Sequence, residues 1–197
     1  MIRRLMNRLR RDERGVSVVE FAIFSVPLLI SIMAGVELGY RVMVISNLEG
    51  AVKNAARLAT TGNYTPVQID AAVDDSLSAL NNLTITKTKK SYRKFSQVGK
   101  PEPITSDTAP MGVYNPGDCF SDLNNNGSFD ADGGTNDDIG GAQEIVQYTA
   151  TAEYDTLFPF LVNMLGFDSK TRVSSSTIMQ NEPWAAASSF VPANICS

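Results

Sequence analysis

The stretch VSVVEFAIFSVPLLISIMAGVELGYRVMVISNLEGAVKNAARLAT, Val16 to Thr60, decides how this chain is built. Its first 21 residues, Val16 to Val36, carry one charge, Glu20. As a helix they are long enough to cross ~30 Å of hydrocarbon. The pattern then changes without stopping: Leu38, Val42, Ile45, Leu48, Val52, Ala55, Ala56 and Ala59 recur at helical spacing with no proline among them. A single helix is predicted to Thr60, apolar all round at first and amphipathic later, about 67 Å long at about 1.5 Å per residue. Pro27 removes a backbone donor, so the freed carbonyl there needs a local partner.

Charge is distributed unevenly around this stretch. Residues 1–15 hold six of the 17 Lys and Arg residues (Arg3, Arg4, Arg8, Arg10, Arg11 and Arg14), leaving 11 basic against 19 acidic in the rest. A body so acidic lacks the basic footprint that phosphate recognition requires, which argues against nucleic acid as a partner. Basic residues before an apolar span stay in the cytoplasm, so the remainder lies outside it. The chain therefore divides into a cytoplasmic basic leader (1–15), a long helix that is transmembrane in its first half (16–61), and an exported domain (62–197). A cleaved secretory signal is the alternative, but SIMAGVELG offers no clean cut site.

The only cysteines are Cys119 and Cys196. In an exported body they can pair, closing a long loop and tying down the C-terminus. Histidine is absent, which removes the Ser-His and Cys-His nucleophile systems and the commonest metal ligand, so an enzyme is not expected.

Beyond the helix, TGNYTP is a break. Thr65 can cap a second helix, with Pro66 in its first turn and Gln68 three residues after the cap, running to about Leu80. NLTITKTKKSYRKF reads as a strand with a solvated, lysine-rich face at a sheet edge, a docking patch of Lys87, Lys89, Lys90, Arg93 and Lys94 being the alternative. From Gly99 to Gly141 Pro, Gly, Asn and Asp dominate, a loop region that needs some device to order it. QEIVQYTATAEY (143–154) and TRVSSSTIMQ (171–180) read as strands. LFPFLVNMLGF between them reads as a short apolar helix or turn belonging to the core. The tail with Trp184 and Phe190 is expected to pack on the body. The fold class is α+β: a long N-terminal helix followed by a small antiparallel sheet domain.

DLNNNGSFDAD, Asp122 to Asp132, places oxygen-bearing side chains at Asp122, Asn124, Asn126, Asp130 and Asp132. Gly127 lies at the sharp turn, and Ser128 can offer its carbonyl. Alternate spacing brings such side chains to one centre, as calcium's oxygen ligands require, although Gly133 stands where an EF-hand loop has its bidentate Glu. An EF-like calcium loop outside an EF-hand, completed by Asp132, Asp137 or Asp138, is the expectation, with a structural role. The alternative is an Asx-rich turn held by its own side chains.

Glu20 still needs a reason, because a lone carboxylate inside a membrane helix is costly. A peptidase cutting between Gly15 and Val16 would make Glu20 the fifth residue of the mature chain. It would then lie only ~6 Å along the helix from the new ammonium, which it could neutralise.

RG followed by VSVVEF resembles the type IV prepilin signal. Together with NAAR, DLNNNGSFDADGG, LFPFL and NEPW it is similar to the TadE/TadG-like minor pilins of the tight adherence (Flp) pilus system. That resemblance implies a pilin-like pseudopilin in the bacterial inner membrane, single-pass, with its C-terminal domain periplasmic or extracellular on the pilus. It implies processing by a prepilin peptidase, and a role for Glu20 in docking one subunit on the next. The partners it implies are other Tad pilins and pseudopilins, an inner-membrane assembly platform and membrane lipid, with functions in pilus assembly, adhesion and biofilm formation. Two alternatives stand beside it: a type II secretion pseudopilin, and a membrane-tethered binding or enzymatic domain.

Overall fold

The computed structural model describes residues 15–80, 82–185 and 190–196; the leader before Gly15 lies outside them. Helix α1 (Val16–Thr60) is unbroken through Pro27. Helix α2 (Pro66–Leu77) begins as its sequence dictates. Thr65 Oγ1 accepts the Gln68 N–H and the Gln68 side chain accepts the Thr65 N–H, so two otherwise orphaned donors are satisfied reciprocally. It ends at Leu77, three residues before the expected limit.

The strands form two sheets. β1 (Leu83–Tyr92), β4 (Thr135–Asn136), β5 (Ile145–Asp155) and β6 (Lys170–Gln180) make one, in the order β4-β1-β5-β6. β2 (Ile104–Ser106), β3 (Cys119–Asp122) and β7 (Ala193–Cys196) make the other, in the order β2-β3-β7. β1 and β5 pair antiparallel without a slip from Leu83↔Tyr154 to Tyr92↔Ile145. A short helix, α3 (Pro159–Met164), lies between β5 and β6.

The chain falls into two compact units. Among the described residues, one comprises 15–43 and 155–171, and the other takes in those from 44 to 154 and from 172 to 196. In the second unit, Val44, Leu48, Ala51, Val52, Ala55, Ala56 and Ala59 of α1, Ile69, Val73 and Leu77 of α2, and Tyr148, Ala150, Ala152 and Tyr154 of β5 are buried. The alternation along β5 buries one face of the strand.

The lysines of β1 depart from expectation. β1 is flanked by β4 and β5 rather than lying at an edge, and Lys89 is only 7% exposed. Lys87 Nζ donates to Asp74 at 2.6 Å and Lys89 Nζ to Asp70 at 2.5 Å. Lysines two apart on a strand share a face, and acids four apart on a helix share one, so the pairs fall in register. Asp70 also accepts the Tyr148 hydroxyl at 2.8 Å, and burial together with that carboxylate pushes the Tyr148 pKa up.

The tail closes the end of α1. The Glu182 N–H donates to the Thr60 carbonyl at 2.9 Å, and the Trp184 ring lies so close to Gly62 that a Cβ there would come within 2.5 Å of it. Phe190 lies under the Arg93 guanidinium, 4.0 Å from its ring centroid. Cys119 and Cys196 face each other across β3 and β7 and form a disulfide.

LFPFLVNMLGF is not core. Leu161 is buried, but Phe160 is 79% exposed, and Met164, Leu165 and Phe167 are exposed with it. The segment is short and closes on its own backbone, which leaves most of its side chains without an opposing layer.

Candidate functional site

Two regions carry the expected site residues. The first is the start of α1. Gly15 immediately precedes the helix, Val16 is its first residue and Glu20 lies one turn on; all three are exposed. Gly15, Val16, Val19, Glu20, Ile23 and Phe24 line one shallow, open surface, on which Val16, Glu20 and Ile23, spaced by four and three, share a helix face. The surrounding side chains, Val18, Phe21, Leu28 and Leu29 among them, are large, apolar and exposed. α1 is long and apolar enough to cross a membrane.

The second region is the Asp122–Asp132 loop, which follows β3. Gly127 has φ +80° and Asn125 φ +60°, so the chain turns through the left-handed region twice. Asp122 is buried and accepts three backbone N–H groups, from Asn125 at 2.6 Å, Asn126 at 3.3 Å and Gly127 at 2.8 Å. The side-chain amides of Asn124 and Asn126 both donate to Asp130 Oδ2, at 2.7 and 2.5 Å. The Ser128 N–H donates to Asn126 Oδ1 at 2.8 Å. Five of the six expected ligands are thus brought together by Asx-type hydrogen bonds.

Asp132 is directed elsewhere, to Lys90 and, at 3.1 Å, to the Tyr92 hydroxyl. Burial acts to raise the Asp132 carboxyl, but the hydrogen bonds from Lys90 and Tyr92 outweigh it and hold the pKa below the usual range. Tyr92 responds in the opposite direction, pushed up to about 12 by burial and by its bond to Asp132.

Glu102, which sequence reasoning passed over, fastens the loop. It is 2% exposed, and its carboxylate accepts the Leu123 N–H at 2.7 Å and the Asp130 N–H at 3.1 Å. Burial raises its pKa, and the nearby Asp122 and Asp130 raise it further, against those two hydrogen bonds. The only local signal is an acid between two prolines, Pro101 and Pro103, in an extended segment.

A second acid works the same way upstream. Asp118 accepts the Thr108 N–H and hydroxyl, each at 2.7 Å, and the Asn115 N–H at 2.9 Å, and these bonds hold its carboxyl below the usual range. Tyr114 stacks on Phe129 at 4.1 Å between ring centroids, and Phe120 meets both rings edge-on. These contacts and the disulfide order the long loop region.

Among the described residues, no group of three or more His, Cys, Asp or Glu side chains is placed to hold a metal ion. An ion at the loop would depend on asparagine and main-chain oxygens as much as on carboxylates, which suits calcium better than a transition metal. No protein-family model, no curated protein and no solved structure matches the chain.

Proposed function

We propose that this chain is a minor pilin or pseudopilin of a Tad (Flp) type IV-like pilus, a structural component of pilus assembly and surface adhesion rather than an enzyme. One observation carries the reading: Gly15 precedes, and Val16 and Glu20 open, a 45-residue helix whose first half is exposed and apolar and whose second half buries one face in a folded body. A tether needs the apolar half but not a carboxylate one turn into it. A helix that leaves the bilayer to pack in a filament has a use for one, because Glu20 can neutralise the Val16 ammonium of its own or an adjacent subunit. In this reading a prepilin peptidase removes residues 1–15 and the body lies in the periplasm or on the pilus. Other Tad pilins and the inner-membrane assembly platform are its partners.

N-terminal sequencing of membrane-extracted protein from a host with its prepilin peptidase tests the processing step. A chain beginning at Val16 is expected, and one beginning at Met1 refutes it.

The reading extends to a structural calcium ion held by Asp122, Asn124, Asn126, Ser128 and Asp130, with Asp132 engaged by Lys90. Its support is the placing of Asp122 and Asp130 beside the buried Glu102, whose carboxyl they push up, a charge that a divalent cation would offset. A chelator should lower the melting temperature of the full chain in detergent, and calcium should restore it. An unchanged melt leaves the loop held by its hydrogen bonds alone.

A further inference from the structure

From Leu157 to Phe167 every residue is apolar except Asn163 and Gly166, yet Phe160, Phe167, Leu165 and Met164 are exposed. A contiguous apolar surface of this kind marks a site of interaction. Its backbone is prepared for a dry environment. The Leu161 and Val162 N–H groups donate to the Phe158 carbonyl, Gly166 to Asn163 and Phe167 to Val162, while Thr156 and Ser169 close the base of the loop at 2.8 Å. At the start of the segment the Leu157 and Phe158 N–H groups both reach Glu37 Oε2, at 2.9 and 3.3 Å. Backbone groups satisfied in this way are the condition for contact with lipid.

Glu37 also fixes the level of the segment along α1. It is the first residue beyond the Val16–Val36 apolar run, and Tyr40 and Arg41 follow within about one turn. A carboxylate, a tyrosine and an arginine at the end of an apolar span belong to the headgroup layer. The segment and this part of α1 also lie in the same compact unit.

We infer that Leu157–Phe167 is a second membrane-binding element, a wedge in the interface of the leaflet on the body's side, with Phe160, Met164, Leu165 and Phe167 as lipid anchors. The inference rests on the reading that α1 spans a bilayer. Lipid is the occupant favoured over a protein because the wedge is continuous with the span and has no charge between Leu157 and Phe167. A protein interface of this size would carry a polar rim.

The test uses the full chain in phosphatidylcholine vesicles whose acyl chains are brominated near the headgroup end or near the methyl end. Trp184, the sole tryptophan, gives the wild-type baseline, and Phe160→Trp and Val26→Trp each add one reporter. Phe160→Trp should emit to the blue of wild type and be quenched several-fold more strongly than Trp184, by the shallow bromines above all. Val26→Trp should respond to the deep ones. Quenching at Val26→Trp with none beyond baseline at Phe160→Trp overturns the wedge and leaves the span standing. A blue shift at Phe160→Trp without quenching places a protein, not lipid, on the segment and also overturns it. Absence of quenching at Val26→Trp overturns the spanning reading on which the wedge depends.

Discussion

The two parts of α1 belong to one helix and differ in what covers their apolar side chains. Residues 16–43 present Phe21, Ile23, Phe24 and Leu28 outward, and none of these is buried. Residues 44–60 bury Ala51, Ala55, Ala56 and Ala59 beside Val44, Leu48 and Val52. Large exposed side chains suit hydrocarbon, whereas alanines let neighbouring backbone approach closely. The polar chemistry follows the same division. In the unit that holds the second part, Asp70, Glu102, Asp118 and Asp122 each accept at least two hydrogen bonds from defined donors, and several of these acids are buried. In the other unit, among the described residues, Glu37 plays that part.

The largest effect that sharpens this contrast is expected at Asp70. Asp70→Ala strands the buried Lys89 ammonium and the Tyr148 hydroxyl, and should destabilise the body by about 3–5 kcal/mol. Urea melts of the full chain in detergent, followed by circular dichroism, would measure it. The helical signal of residues 16–43 should survive the loss of the body; simultaneous melting of both would break the comparison. Next comes the disulfide. Replacing Cys119 and Cys196 together by serine releases a closure spanning 77 residues and should cost about 2–4 kcal/mol.

A smaller effect belongs to the junction of α1 with the tail. Gly62 has φ +69° and faces Trp184, whereas Gly99 has φ +65° and open space around it. Both changes to alanine carry left-handed strain, so Gly99→Ala should cost about 1 kcal/mol and Gly62→Ala about 1 kcal/mol more. Equal costs would show that Trp184 yields freely.

Much of this division is legible in the sequence, and what is not has a physical reason. The extent of α1, the Thr65–Gln68 cap, the strands at 145–155 and 170–180 and the pairing of Cys119 with Cys196 follow from local spacing or from elimination. The pairing of the β1 lysines is not legible locally, because their counter-charges, Asp70 and Asp74, lie 13 to 19 residues earlier on another element. Glu102 was invisible because its partners are backbone groups more than 20 residues away. β2, β3 and β7 are too short for alternation to reveal; their mutual antiparallel pairing and the disulfide hold them. LFPFLVNMLGF has the composition of a core segment, and composition alone does not say whether protein or lipid receives it.

The smallest effect is the pH dependence of the loop region. Asp118 and Asp132 have depressed pKa values, so their stabilisation is present above the unfolded values and is lost as pH falls through the folded ones. Glu102 is raised, so its contribution is full below the unfolded value and is lost as pH rises through the folded one. Acidification from neutrality through the carboxylate range should therefore destabilise Asp118→Asn less than wild type, and Glu102→Gln more. Urea melts across that range check both signs.

The central claim, that α1 is an assembly element and not only an anchor, rests on Glu20. Removing a carboxylate from a lipid-facing helix should leave a tether unharmed or improved. In a strain lacking its own copy, Glu20→Ala should be cleaved after Gly15 and retained in the membrane, yet fail to support pilus production or to crosslink with other pilins. Glu20→Asp, with charge kept and reach shortened, should fall between. Piliation by Glu20→Ala at the wild-type level would contradict the account and favour a membrane-tethered domain.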